Sequence, residues 1–320
     1  MPPLAPLEQL SAGALDWLGG NLDHFDPFSA RARPATHGRA KAALELALLC
    51  HRAAHPDGAP DTPDALDGAT ALVRKLWQQP EFPRLFDEDP AYAPTYGLVF
   101  AALAPDGIDD TLCRDAVDRL DPGFLSAGGR SPYRRIEIRY YADKAGVRHA
   151  IEPYAELVPR SPLVAPRAAG PGDARPRDGA PLTTPEAYAL THTAFYLGDF
   201  GRRAPGPTGN APVHTAAHTT DLVDRMLWHC VAHDRWDLAA ELVLTQYILG
   251  SDPLRTPSGA AAVECLVRAQ RPDGAIPARS AALMASPSAL AGAGEFFRKA
   301  YHTTLVTALM ALVVRSPRPS

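Results

Sequence analysis

The sequence predicts a mainly α-helical protein: an α/α toroid, complete or partial, of about ten helices, with one β-hairpin inserted near its middle. Three observations carry this expectation. Apolar residues recur with the period of an α-helix through most of the chain. Some of these segments are apolar nearly all round and others amphipathic, as inner and outer helices require. A Pro-Asp-Gly turn also follows a helix twice, in Ala104-Pro105-Asp106-Gly107-Ile108 and in Gln270-Arg271-Pro272-Asp273-Gly274-Ala275-Ile276-Pro277. That recurrence reads as stacked antiparallel helix pairs.

The elements follow in order. Residues 7–22 read as a helix with Leu10, Leu15 and Leu18 on one side, frayed by Gly19-Gly20. The segment 36–55 is a stronger helix with almost no polar face, so it is expected inside. Thr62-Pro63 then caps and opens a helix running to about Gln79. Residues 93–103 are apolar and 110–120 amphipathic. At Ser131 the pattern changes, because Arg135-Ile136-Glu137-Ile138-Arg139-Tyr140 alternates with period two. With Asp143-Lys144-Ala145-Gly146 as the turn and 147–158 as the return strand, this predicts a hairpin. Residues 159–185 are dense in Pro, Gly, Ala and Arg and predict a loop. The hairpin and loop together make an insertion over 131–183 in a single helical domain spanning 1–320. Helices resume at about Thr184 and continue over 188–199, 218–233, 235–249, 257–269 and 300–314.

Composition excludes several classes. With 46% hydrophobic residues the 320-residue chain can bury a substantial core. A net charge of −4 carries no nucleic-acid footprint. No apolar run reaches the length of a membrane span, and residues 1–8 have neither the basic nor the apolar region of a secretory signal. Cys50, Cys113, Cys230 and Cys265 are scattered and form no C-x-x-C pair, as expected of reduced, buried thiols in a cytoplasmic protein. Arginine dominates the 32 basic residues, and with 33 prolines this is the usage of a GC-rich genome. G-x-G-x-x-G, Walker A, G-x-S-x-G and kinase motifs are absent, so nucleotide and α/β-hydrolase chemistry are not expected.

The chemistry-bearing residues are histidines on apolar helical stripes. His192, in Thr191-His192-Thr193, and His302, in Tyr301-His302-Thr303-Thr304, both fall near the starts of predicted helices. In a toroid such positions meet at one mouth, where either imidazole can act as general acid or base. A helix start also lowers an imidazole pKa and keeps a neutral base available. The bland alternative is two separate polar anchors, each bonded to a carbonyl. Asp199 is the candidate acidic partner, although two helical turns keep it from touching His192 directly. Tyr96, Tyr188, Tyr196 and Tyr301 are candidates to line the cavity, against the commoner role of aromatic residues as core. His229 and His233 are four apart on one helical face and can share a zinc ion. Equally, His229 can bond within the core while His233 caps the helix end. Zinc is therefore admitted but not required. His24, His37 and His55 stand in polar or Pro/Gly-rich surroundings and are expected at surface turns.

The run 266–274, followed by Tyr301-His302-Thr303-Thr304-Leu305-Val306, resembles the repeat style of α/α-toroid proteins: terpenoid cyclases, protein prenyltransferase β-subunits and lanthionine cyclases. Their site residues do not carry over. There is no D-x-D-D, Asp109-Asp110 does not extend to D-D-x-x-D, and Cys50-His51 lacks a second cysteine ligand. The phrase Tyr188-Ala189-Leu190-Thr191-His192-Thr193-Ala194-Phe195-Tyr196-Leu197-Gly198-Asp199-Phe200-Gly201 is similar to an uncharacterised actinobacterial family associated with specialised-metabolite gene clusters. That resemblance carries no known chemistry with it. Taken with the histidines on apolar stripes, it leads to the expectation of a tailoring enzyme acting on a peptide or other natural-product intermediate by histidine acid–base chemistry, with or without zinc. A non-catalytic toroid that binds a peptide or partner is the alternative.

Overall fold

The computed structural model describes residues 4–30, 39–54, 64–165, 179–203, 213–278 and 293–316. Among these are thirteen α-helices: α1 (Ala5–Gly20), α2 (Leu22–Phe25), α3 (Arg39–Ala53), α4 (Asp67–Trp77), α5 (Ala93–Ala102), α6 (Thr111–Asp118), α7 (Pro132–Lys144), α8 (Tyr154–Leu157), α9 (Thr184–Leu197), α10 (Val213–Ala232), α11 (Trp236–Ile248), α12 (Pro257–Ala269) and α13 (Ala293–Arg315). The chain is mainly helical, as its periodicity predicts, and no strand occurs among the described residues.

The expected hairpin is therefore corrected. The alternating segment lies inside α7, where Ile136, Glu137, Ile138, Tyr140, Tyr141 and Ala142 are all buried. Six alternating residues fit either period, and the local signals at both ends favour a helix. Ser131 accepts a hydrogen bond from the Arg134 amide and Pro132 fills the first turn. At the other end Gly146 adopts a left-handed φ of 68°, while the Val147 and Gly146 amides bond back to the Ala142 and Asp143 carbonyls. This is a Schellman helix end rather than a hairpin turn. The expected return strand holds one isolated bridge, Ala150 with Ser126, and then α8. The expected loop falls partly on 166–178, outside the described residues.

The same Ser/Thr–Pro entry opens other helices. Thr183 caps α9 in a reciprocal box with Glu186, and Thr256 caps α12 ahead of Pro257. Thr62-Pro63 lies outside the described residues.

Helix packing follows a cyclic succession. α3 packs on α5, α5 on α7, α7 on α9, α9 on α11, α11 on α13, and α13 returns to α3. The remaining helices flank this series: α2 on α3 and α4, α4 on α3, α6 on α5, α8 on α7, α10 and α12 on α11, and α1 on α13 and α12. α11 is the most enclosed, with every residue except Asp237 buried.

Five helices of the series end on one short segment, 198–203. Arg52 of α3 donates to the Phe200 carbonyl at 3.1 Å, and Arg202 donates to the His51 carbonyl at 2.7 Å. Tyr140 of α7 donates to Asp199 at 2.6 Å, and Lys144 stands 3.4 Å from the same carboxylate. Gly198 follows directly on α9 and packs against Ile248 of α11. Gly201 is pressed against Val313 of α13 and Tyr247 of α11 so closely that a Cβ there would overlap Val313. Thus α3, α7, α9, α11 and α13 all point the same way. Their carbonyl-rich ends meet Arg52, Lys144 and Arg202, cations placed where the helix dipole favours them. Asp199 and Phe200 both take left-handed backbone, at φ 44° and 52°, conformations retained where surrounding contacts hold them.

Candidate active site

Two helical turns before that junction, about 10 Å along the axes, three glutamates occupy alternate helices of the series. Glu45 lies on α3, Glu137 on α7 and Glu241 on α11. Each interrupts an apolar run: Leu44-Glu45-Leu46, Ile136-Glu137-Ile138 and Ala240-Glu241-Leu242. A carboxylate buried in such surroundings is costly unless paired and bonded.

All three are paired. Glu241 is 1% exposed and accepts a hydrogen bond from Thr191 Oγ1 at 2.6 Å. Its Oε2 stands 3.7 Å from Nδ1 of His192, and its Oε1 3.7 Å from Nε2 of His302. The other nitrogen of His302, Nδ1, is 3.2 Å from Oε2 of Glu45, and Lys41 lies 3.6 Å from the same carboxylate. Glu137 is bonded by Arg134 and by the Tyr196 hydroxyl, the latter at 3.0 Å. Arg134 also donates to Thr95 of α5 at 2.7 Å.

The electrostatics follow from this chain of contacts. Burial would depress His302, but Glu45 and Glu241 on its two sides outweigh it and hold the imidazolium up to about 10. Burial would raise Glu45, yet His302 and Lys41 bring it down to about 2. Glu241 is likewise raised by burial, and His192, His302 and Thr191 lower it below the ordinary carboxylate range. His302 is thus a fixed cation between two anions.

His192 is placed differently. Its Nδ1 lies 2.8 Å from the Tyr188 carbonyl, which only accepts, so Nδ1 carries the proton. No partner of its Nε2 stands among the described residues, and the side chain is 29% exposed. Rings of Phe195, Tyr188, Tyr196 and Tyr133 surround the imidazole at centroid distances of 5.5, 6.0, 6.2 and 6.4 Å.

Of the residues singled out in the sequence, His192 and His302 are brought to one buried carboxylate. Neither stands at a helix start. α9 begins at Thr184 and α13 at Ala293, so both imidazoles lie well inside their helices. The helix-end dipole does not govern them, and His302 is raised where depression was expected. Asp199 sits instead in the junction, on Tyr140 and Lys144. Tyr96, Tyr188, Tyr196 and Tyr301 all lie around the cluster, with Tyr188 bonded to Asp237 and Tyr301 to Glu45. His229 of α10 and His233, which directly follows that helix, stack on each other at 4.1 Å, with His233 Nδ1 2.9 Å from the His229 carbonyl. Among the described residues no group of three or more His, Cys, Asp or Glu side chains can hold a metal ion. His24 stacks on Phe297 rather than standing free in a turn, while His37 and His55 lie outside the described residues. The three glutamates were not singled out from the sequence, although a lone acid within an apolar helix is a legible sign of a buried pair.

A family model described as a domain of unknown function, DUF6895, matches residues 11–312, and the chain belongs to that family. No curated protein and no solved structure matches the chain. Among the described residues no helix is long and apolar enough to cross a membrane.

Proposed function

We propose that this protein is an acid–base enzyme built on an α/α toroid, with His192 as its catalytic base. The toroid is supported by the cyclic succession of helix contacts and by the shared direction of α3, α7, α9, α11 and α13. The observation that carries the enzymatic part is the convergence of two partly exposed imidazoles on one buried carboxylate.

His192 Nε2 takes a proton from a bound substrate while Nδ1–H stays on the Tyr188 carbonyl. The imidazolium formed is stabilised by Glu241, which His302 and Thr191 hold ionised and in place. His192 then returns the proton to the product. A base so positioned contributes about 10²–10⁴-fold in rate. His302, bracketed by carboxylates, is a positioning residue in this scheme. The substrate is a peptide or other medium-sized natural-product intermediate of bacterial specialised metabolism, a proposal supported by the resemblance over 188–201. The four buried thiols suit a reducing cytoplasmic setting.

The test is untargeted mass spectrometry of a metabolite extract from the producing organism, incubated with wild-type protein and with His192→Gln. Features consumed and formed by the wild type should persist unchanged with the variant at equal folded fraction. If the wild type converts nothing but retains a ligand, the protein is the binding toroid instead, a reading that the complete pairing of its carboxylates would then explain.

A further inference from the structure

Seven of the ten tyrosines bond their hydroxyls within the fold, as the buried Tyr140 and Tyr196 do to Asp199 and Glu137. The hydroxyls of the other three, Tyr92, Tyr96 and Tyr133, have no partner among the described residues. These three are not scattered. Tyr92 and Tyr96 stack at 6.0 Å on the entry to α5. Arg134 lies 6.0 Å from the Tyr92 ring centre, and its neighbour Tyr133 makes an edge contact with His192. Tyr92 is 49% exposed, so the face runs from solvent to the proposed base.

We propose that Tyr92, Tyr96 and Tyr133 form a substrate subsite for a neutral, hydroxyl-bearing ring, a sugar or polyol ring, whose far end reaches His192. A phenol both donates and accepts, so three unpaired phenols match ligand hydroxyls, which do the same. An ammonium can only donate and a carboxylate can only accept. Charge points the same way. Glu45, Glu137 and Glu241 face Lys41, Arg134 and His302, and Asp89 acts on Tyr96 as a further anion, so charge disfavours an anionic ligand while the accepting and donating phenols disfavour a purely donating cation. Burial pushes the Tyr96 phenol up to about 12, so it keeps its proton at neutral pH. Aromatic faces supply apolar area for the ring's C–H surface, as small-molecule sites combine such faces with a few placed polar groups.

For what happens to the bound ring the proposal rests on His192 as base; for binding it does not. Saturation-transfer NMR on the full chain separates the two. The probes are neutral trisaccharides (maltotriose, cellotriose and chitotriose), with spermidine as the cation and trigalacturonate as the anion. Transfer is expected to at least one neutral trisaccharide and to neither charged probe. It should disappear in Tyr92→Ala and weaken several-fold in Tyr92→Phe, which keeps the ring and removes the hydroxyl. No transfer to any trisaccharide, transfer unaffected by Tyr92→Ala, or a Tyr92-dependent preference for spermidine or trigalacturonate overturns the subsite. Tyr92-dependent binding without turnover by the wild type leaves the subsite standing and removes the catalytic proposal.

Discussion

Nδ1 of His302 lies 3.2 Å from Oε2 of Glu45, across a separation of 257 residues. The contact ties α13 to α3, the pair that returns the helix succession to its start. With Glu241 on its other nitrogen, His302 should keep its proton far beyond the range of a free imidazole. Carbon-detected NMR titration should find one histidine Cε1–H resonance at its protonated shift up to about pH 10. Glu241→Gln should move that midpoint down, because one of the two anions is gone. A His302 resonance titrating near 6.5 in the wild type would show that the bracket is not formed.

Stability should carry the mark of the same pair. The folded chain holds the His302 proton to about 10, against 6.5 for an ordinary histidine, so this contribution is complete below 6.5 and is lost as pH rises toward 10. Glu45 is depressed from 4.5 to about 2, so its contribution is complete above 4.5 and lost as pH falls toward 2. The melting temperature is therefore expected to be highest between pH 4.5 and 6.5 and to fall on both sides. Differential scanning calorimetry of His302→Gln should show a shallower fall on both sides. An unchanged alkaline slope would remove His302 from this role.

The Pro-Asp-Gly turn after α12 seats against α1. Gln270 donates to the Leu10 carbonyl at 3.2 Å, and Gly274, at φ 89°, has no room for a Cβ beside the Gly13 carbonyl. The matching turn after α5 has Gly107 at φ 74° with open space around it. Gly107→Ala should cost only the left-handed conformation, about 1–2 kcal/mol. Gly274→Ala must also displace α1 and should cost more, about 3–4 kcal/mol. Urea denaturation of the two variants measures the difference, and equal losses would mean that the turn does not dock as described.

Ser131→Ala should destabilise the chain by about 1 kcal/mol, since it removes the cap on α7. Ser131→Asp, which restores an acceptor at the same point, should recover most of the loss. Chemical denaturation reads both, and a neutral Ser131→Ala would indicate that the serine does no capping.

The sequence by itself determined the helices, because their causes are local. A 3.6-residue apolar period, a Thr183 or Thr256 ahead of proline, and a glycine such as Gly146 or Gly250 just past a helix end all act within a few residues. It also marked His192 and His302 as polar groups in apolar surroundings. Tertiary structure decided the rest. The alternation over 135–140 was compatible with strand or helix; the signals at Ser131 and Gly146 favour the helix, and its packing on α5 and α9 decides which of its residues are buried. Which acid the histidines would meet was equally out of reach. Asp199 is near His192 in sequence, but it turns into the helix-end junction, while Glu241 and Glu45 come from other helices. Periodicity reports which side of a helix is buried, whereas an ion pair depends on which helix lies opposite. That choice is made by the packing of the whole chain, and with it the pKa of every group in the cluster.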